Sequence, residues 1–340
     1  MRLASYNIEW FSNLFDDDNN LNVDHQPSGR YEVSRADQTG AIAHVLKALD
    51  ADAVMVIEAP DQSRRRDTVA ALEHFADVLE LRTSKAVMGF RNDTQQEIAL
   101  LYDPKRLTAE HDPLGDIYDA QAPRFDGQFR IDLDIDATRD VVRFSKPPLE
   151  LSVTTAEGRR LRLIGAHLKS KAPHGATTRD AIMRQSIANR RKQLAQAIWL
   201  RARIDGHLSA GDTLIVMGDL NDGPGLDEYE HLFGRSSVEI VMGDPGGAGS
   251  LYDPHAHRAL QRKLGANPTT ARFFIEQENR FLQALLDYIM VSPDLMSARP
   301  CWRIWHPFDD PECWTTPALR EALLMASDHF PVTLDIELRG

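Results

Sequence analysis

The chain has little cysteine and no long apolar run. Its two cysteines, Cys301 and Cys313, are too few for a disulfide framework, and neither has a histidine pair at zinc-finger spacing. Apolar segments such as residues 53–57 are far shorter than the roughly 18 residues that a membrane span needs. Asn7 and Glu9 stand where a secretory signal would have its apolar core. We therefore predict a soluble cytoplasmic protein without a membrane span.

Positive charge is also scarce overall. The chain has 39 Lys and Arg against 51 Asp and Glu, a net charge of −12, which taken alone argues against a nucleic-acid binder. The charge is unevenly distributed along the chain, because residues 159–203 hold many Lys and Arg and only one acid, Asp180. Such a segment can form a basic surface that attracts a polyanion. The alternative interpretation is a solvated helix face.

No linker, repeat or change of composition marks a domain boundary. Strand-like and helix-like segments alternate along the chain, which indicates α/β layers around packed sheets in one domain, residues 1–340. The stretch at about residues 293–327 exceeds the usual loop length and is predicted to be a long loop insertion. It holds Trp302, Trp305 and Trp314. These side chains either pack into a small satellite core or line a substrate cleft.

Polar side chains stand where the strand-like segments end. They are Asn7, Glu58, His167, Asp219 with Asn221, Asp287, and Asp328 with His329. Binding and catalytic groups gather where strands lead into loops. A lone aspartate at a strand end is more commonly a turn or helix cap, so the functional interpretation depends on the whole set.

The residue types in this set indicate one kind of chemistry. Glu, Asp and Asn offer the hard oxygen ligands that suit Mg²⁺. A hard cation beside two histidines and spare carboxylates suits phosphoester hydrolysis. The cation neutralises charge on the phosphoryl oxygens, while a carboxylate and an imidazole act on the attacking water and the leaving group.

Six short blocks carrying these residues resemble the endonuclease/exonuclease/phosphatase superfamily, which includes the pancreatic-type deoxyribonucleases. In the family's order they are YNIEW at 6–10, VIE at 56–58, GAHLKSK at 165–171, GDLN at 218–221, DY at 287–288 and SDHFPV at 327–332. Each block alone is weak, but six in order are a strong signal. The resemblance implies an α/β four-layered sandwich of two packed, mostly antiparallel sheets flanked by helices.

The resemblance also implies a metal site for Mg²⁺ or Mn²⁺. Glu58 would be the principal metal carboxylate, with Asn7 and Asp328 completing or supporting the site. Glu9, on the same side of the strand as Asn7, is a candidate for an outer contact to the metal.

The catalytic roles are likewise implied by the resemblance. Asp219 would orient or deprotonate the attacking water or assist the leaving group, and Asn221 would hydrogen-bond a phosphate oxygen. His329 would contact the phosphate, with its ring oriented by Asp287, and His167 would lie on the opposite side of the phosphate. The candidate substrate-binding cations, which are either phosphate contacts or solvated side chains, are Lys169 and Lys171.

The predicted function is a Mg²⁺- or Mn²⁺-dependent phosphodiesterase, most simply a nuclease with DNA or RNA as substrate. One alternative on the same fold is a phosphatase or phospholipase of the sphingomyelinase or inositol-phosphatase kind, since one scaffold hosts many substrates. Another is a non-catalytic nucleic-acid-binding module, against which the intact set of site residues argues. The sequence predicts no oligomeric state.

Overall fold

Two large β-sheets pack face to face in the computed structural model, which describes residues 1–94, 96–132, 140–173, 175–223, 234–247, 249–261, 267–275 and 279–338. The first sheet has the spatial order β14 (Cys301–Ile304), β15 (Val332–Asp335), β1 (Arg2–Asn7), β2 (Ala53–Ala59), β4 (Glu97–Tyr102) and β3 (Lys85–Met88). The second has the order β13 (Asp287–Val291), β10 (Leu214–Asp219), β9 (Arg160–His167), β8 (Leu149–Thr155) and β5 (Leu107–His111). Two smaller strand pairs are β6 (Phe129–Ile131) with β7 (Asp140–Val142), and β11 (Ala271–Ile275) with β12 (Arg280–Ala284).

Helices cover the outer face of each sheet. The first sheet carries α1 (Arg35–Leu49), α2 (Thr68–Val78), the short α6 (Pro311–Thr315) and α7 (Pro317–Ala326). The second carries α3 (Arg179–Ala210), α4 (Ser237–Met242) and α5 (Pro254–Leu260). Single 3-10 turns occur at Phe11–Leu14 and Pro293–Ala298. Among the described residues, no helix combines the length and the apolar character needed to cross a bilayer.

Strand alternation lets one short strand contribute to two hydrophobic layers. In β2, Met55 and Ile57 face the core between the sheets, whereas Val54 and Val56 face the helices. A strand buried on both faces reads as a continuous apolar run, as residues 53–57 do.

The predicted four-layered sandwich is confirmed. Of the strand pairs that the described residues form, β1 with β2 and β9 with β10 are parallel and the others are antiparallel. That residues 1–340 form one domain stays a prediction.

The segment 293–327 differs from the predicted loop insertion. It contributes β14 to the edge of the first sheet and helices α6 and α7 to the outer layer. Pro311 and Pro317 obscured this in the sequence, because each stands at the first turn of a helix, where proline is well tolerated. A strand of four residues also carries almost no periodicity.

The three tryptophans of this segment have different environments. Trp305 is buried in the core under α7 and donates to Thr333 Oγ1 at 3.0 Å. Trp302 donates to the Ile289 carbonyl at 2.7 Å and is partly buried. Trp314 is 52% exposed. Packing therefore accounts for the first two, which join the main hydrophobic cores and not a small satellite core.

Candidate active site

The predicted residues of both sheets meet at one edge of the sandwich. Asn7 is the last residue of β1, His167 the last of β9 and Asp219 the last of β10, while Glu58 lies near the end of β2. Because β1 runs parallel to β2 and β9 to β10, the carboxyl ends of each pair lie at the same edge of their sheet. This edge is where ligands bind in many sheets with parallel strands.

Antiparallel neighbours bring the remaining residues to the same edge. Asp287 begins β13 directly opposite Asp219 on β10. Asp328 and His329 lie a few residues before β15, which runs antiparallel to β1. The structure thus brings together the metal and catalytic residues predicted from the sequence.

Two hydrogen bonds join the sheets at this edge. The Asn7 amide donates to Asp219 Oδ2 at 3.1 Å, and His329 Nδ1 lies 2.8 Å from Asp287 Oδ2. All four side chains are at least nine-tenths buried. Alternation explains most of this placement, since Asp219 and Asp287 continue the inward-facing rows of Met217 and Ile289.

Glu58 reaches the site through a break in its strand. Regular alternation would send its side chain toward the helices with Val54 and Val56. A register shift between Ile57 and Ala59 and a left-handed φ of 62° at Glu58 form a bulge that re-aims the side chain. Its carboxylate then lies 3.9 Å from His167 Nε2 and accepts from Gln96 Nε2 at 2.6 Å.

The Gly-Asp-Leu-Asn block also depends on unusual backbone. Gly218 has a φ of 132°, and a Cβ at this position would overlap the carbonyl of Ala166 on the neighbouring strand. Asn221 has a left-handed φ of 50°. Its backbone N–H donates to Asp219 Oδ1 at 2.7 Å, and its side-chain amide donates to Asp219 Oδ2 and to the Leu168 carbonyl, each at 3.1 Å. Asn221 therefore orients Asp219, whereas the family resemblance assigned it to a phosphate oxygen.

The pKa values of the two site histidines shift in opposite directions. It lowers the pKa of His167 well below the usual value, and the cation of Lys146 lowers it further. Burial also opposes the charge of His329, but the negative charge and hydrogen bond of Asp287 outweigh it and hold the pKa of His329 well above the usual value. The site thus combines a neutral imidazole on one sheet with an imidazolium next to the other.

The carboxylates of the site are crowded and short of positive charge. Burial, followed by the charge of Asp287, raises the pKa of Asp219 to about 7. Burial, followed by the charge of Asp328, raises the pKa of Glu9 to about 7, although Arg30 forms an ion pair with Glu9. Burial also raises the pKa of Glu58.

Several oxygens at this edge fit a bound cation. Asn7 Oδ1, Asp287 Oδ1 and Asp328 Oδ1 are buried without a hydrogen-bond partner among the described residues. Ligand atoms of Asp219, Asp287 and His329 also lie within 4.8 Å of one another. In that second group, however, His329 Nδ1 is already paired with Asp287, so the carboxylates beside Asn7 are the better cation site.

Sequence reasoning missed Lys146. It lies in the loop before β8, and its ammonium donates to His167 Nε2 at 3.2 Å. Burial lowers the pKa of Lys146, and the charges of Glu58 and Asp219 oppose this shift. The only sequence signal is a cation directly before Pro147-Pro148, which does not reveal its contact with His167.

The two predicted substrate lysines differ in their surroundings. Lys171 donates to the buried Asp222 at 2.6 Å, an acid that Arg190 also contacts at 3.3 Å. This ion pair gives Lys171 a structural role, which differs from the predicted phosphate contact. Lys169 has no acidic partner among the residues that the structure describes, and burial and the charge of Lys192 lower its pKa.

Comparison with known proteins agrees with this arrangement. The model of the Endonuclease/Exonuclease/phosphatase family matches residues 4–329. The chain belongs to this family. The predicted family and the predicted class of enzyme, a phosphoester hydrolase, are therefore confirmed. No curated protein sequence matches the chain significantly.

Similar solved structures have low sequence identity to the chain. Truncated TDP2 from Caenorhabditis elegans is 16% identical over 99% of this chain and 97% of that chain, with a TM-score of 0.51, so the two share a fold. The human nocturnin catalytic domain with bound sulfate is 16% identical over 98% and 93%, with a TM-score of 0.46. The 3′ phosphatase NExo from Neisseria, bound to a product DNA hairpin, is 14% identical over 99% of this chain and 100% of that chain, with a TM-score of 0.48.

Proposed function

We propose that this family member is a divalent-metal-dependent phosphodiester hydrolase that acts on nucleic acid. The observation that carries the proposal is the position of Asp219 between two histidines of opposite charge. Asp219 Oδ2 lies 3.6 Å from the neutral His167, and the cationic His329 is close enough to lower the pKa of Asp219.

The metal would be held by Glu58, Asn7 Oδ1 and Asp328 Oδ1. Bound Mg²⁺ or Mn²⁺ would supply Lewis-acid stabilisation of charge on the phosphoryl oxygens. The choice of Mg²⁺ rests on hard oxygen ligands. It stays a prediction, as does the cytoplasmic location.

The chain's own side chains would handle the protons. Asp219 accepts the proton of the attacking water, and its pKa of about 7 suits a general base near neutral pH. Asn7 and Asn221 hold both of its oxygens in place. His329 donates to a phosphate oxygen from Nε2, because its Nδ1 is occupied by Asp287.

Cations on the other side of the site favour a phosphodiester in a polyanion. Lys146 contacts His167, and the charge of Lys169 also lowers the pKa of His167. Lys192 on α3 lies close enough to Lys169 to lower the pKa of that lysine. These three ammonium groups would lead from the reacting phosphate toward the next phosphates of a strand.

The test is a substrate comparison in one buffer. Plasmid DNA, single-stranded DNA, RNA, phospholipid and a bis-aryl phosphodiester are each incubated with the chain in Mg²⁺, Mn²⁺ or EDTA. Asp219→Asn, purified in parallel, controls for contaminating enzymes. We expect cleavage of a nucleic acid and of the bis-aryl diester that requires metal and Asp219. Cleavage of phospholipid alone, or full activity in EDTA, would contradict the proposal.

A further inference from the structure

The hairpin of β11 and β12 is tied directly to the candidate active site. The Arg272 N–H donates to the Asp328 carbonyl at 2.7 Å, and Ala271 forms an isolated bridge with His329. After β12, the chain needs only two residues to reach Asp287. A side chain on this hairpin therefore has a fixed position relative to the reacting phosphate.

The two faces of the hairpin differ in what covers them. Ala271, Phe273 and Ala284 lie on the inner face and pack with Leu286. The outer face carries Arg272 and Phe274, together with their cross-strand partners Gln283 and Phe281.

The outer-face phenylalanines are unusually exposed for rings of this size. Phe274 is 48% exposed and Phe281 is 49% exposed, and their ring centroids lie 5.2 Å apart in an edge-to-face contact. Large apolar side chains grouped beside a polar site are a feature of binding surfaces.

Arg272 is held by rings and lacks an acidic partner. Its guanidinium carbon lies 3.6 Å from the Phe281 ring centroid and 5.3 Å from that of Phe308. Among the described residues, no side chain or carbonyl accepts a hydrogen bond from this guanidinium. The contrast is Arg303, which also stacks on a ring, that of Trp305, but donates twice to Asp310. Stacking positions Arg272 while its donors stay available for an anion.

We propose that Arg272, Phe274 and Phe281 form a binding site for the nucleotide next to the scissile phosphodiester. A phosphate of the substrate strand would accept hydrogen bonds from Arg272, and an unpaired base would stack on the exposed rings. The site rests on the proposed function, and it narrows the substrate to a nucleic acid with at least one unpaired nucleotide beside the cleavage point.

Charge favours a nucleotide over a membrane surface as the occupant. Membrane binding by such a patch needs several basic residues, whereas the outer face carries one arginine on a chain of net charge −12. One guanidinium next to two rings matches one phosphate next to one base.

The test compares Arg272→Ala, Arg272→Lys and Phe281→Leu in the full chain. Arg299→Ala is the matched control, since Arg299 is an exposed arginine outside the basic segment 159–203, two residues before β14, whose first residue pairs with the end of β15 farther from His329. We measure kcat and KM on a single-stranded oligonucleotide and on a bis-aryl phosphodiester. In an Asp219→Asn background, fluorescence anisotropy gives the Kd for the labelled oligonucleotide, and cosedimentation gives binding to phosphatidylserine vesicles.

We expect Arg272→Ala to raise KM and Kd for the oligonucleotide about tenfold, with kcat within about twofold and the bis-aryl diester unaffected. Phe281→Leu, which keeps apolar bulk but loses the ring, and Arg272→Lys, which keeps charge but loses stacking, should fall between this variant and wild type. Arg299→Ala should match wild type.

Three results would overturn the site. They are unchanged oligonucleotide binding in both Arg272→Ala and Phe281→Leu, an equal loss of kcat on both substrates, and vesicle binding that alone depends on Arg272. If the chain cleaves no nucleic acid but binds the oligonucleotide through Arg272, the proposed activity fails while the binding site stands.

Discussion

The two sheets contribute different chemistry to one cleft. The six-stranded sheet supplies the proposed oxygen ligands, of which Glu58 depends on a bulge with a left-handed backbone. The five-stranded sheet supplies His167, Asp219 and Asp287 from regular strand positions. The proposed proton-transfer groups lie on ordinary strand ends, whereas the proposed metal carboxylate, Glu58, depends on a local irregularity in an otherwise buried strand.

The two sheets do not act separately, because two hydrogen bonds connect them at the site. Asn7 on the first sheet contacts Asp219 on the second, and Asp287 on the second contacts His329 beside the first. Each sheet therefore orients a side chain of the other, so that the relative position of the sheets matters to the chemistry.

The largest effect is expected at the six-stranded sheet, which carries the proposed oxygen ligands of the metal. EDTA should abolish turnover, and Mg²⁺ or Mn²⁺ should restore it. Glu58→Gln should reduce both metal affinity and activity by about 10²-fold or more, because even residues that only support metal ligands contribute 10- to 100-fold. Isothermal titration with Mn²⁺ and steady-state kinetics measure the two losses.

A neighbouring glutamate provides the control for Glu58. Glu97 is also buried, with a pKa raised to about 7 by that burial, but it accepts from Asn92 Nδ2 at 2.6 Å and not from the site. Glu97→Gln should leave Mn²⁺ affinity unchanged. Because burial raises the pKa of Glu58, replacing its carboxylate by a neutral amide in Glu58→Gln should not lower the metal-free melting temperature. A large drop would mean that Glu58 supports the fold instead of a metal.

The next largest effect concerns the pair that crosses between the sheets. His329→Ala and Asp287→Asn should each lower kcat by about 10²-fold, and the double variant should lose little more than either one alone. Losing the Asp287 charge removes what holds the pKa of His329 up, so its imidazolium should deprotonate at lower pH. In Asp287→Asn, the alkaline limb of the plot of kcat against pH should therefore move to lower pH. Losses that multiply independently would show that the two residues act separately.

A smaller effect is expected at Lys146 on the five-stranded side. Lys146→Met should lower kcat/KM about tenfold, because one positioned cation near the phosphate is lost. Burial lowers the pKa of Lys146, so its charge should disappear as pH rises, before an ordinary lysine would titrate. Lys146→Arg should keep activity and move the alkaline limb of kcat/KM to higher pH. If the alkaline limb of kcat/KM lies at the same pH in wild type and in Lys146→Arg, deprotonation of Lys146 does not cause it.

How much of the site was predictable follows from how each residue is placed. Asn7, His167, Asp219 and Asp287 lie at strand ends with regular alternation, which short apolar runs indicate directly. The bulge at Glu58 was not predictable from alternation, although the position of this residue at the end of a buried apolar run was. Lys146 comes from a loop whose position depends on long-range packing, so no local pattern reveals it.

The same reasoning explains what was and was not predicted of the fold. The α/β layers followed from the alternation of strand-like and helix-like segments, and the family resemblance implied the four-layered sandwich. The segment 293–327 was wrong as a loop because β14 is stabilised by pairing with β15, a contact between distant residues. The ion pair of Lys171 was not predictable for a similar reason, since its partner Asp222 is distant in sequence, and the contact of Lys171 with substrate stays a prediction.

The smallest effect concerns the basic segment 159–203, where ion pairing separates structural from available charges. Lys169 and Lys192 have no acidic partner among the described residues, whereas Arg191 lies 3.0 Å from Asp140. Lys169→Ala and Lys192→Ala should each reduce the slope of log Kd for an oligonucleotide against log[salt] by about one, because each releases one phosphate contact. Arg191→Ala is the matched control on α3, the helix that also carries Lys192, and should leave the slope nearly unchanged, since the charge of Arg191 is already balanced by Asp140.

Fluorescence anisotropy across a salt series measures the slope for all three variants. Equal slopes in every variant would favour a solvated helix face, and the substrate would then be a small phosphoester that never reaches α3.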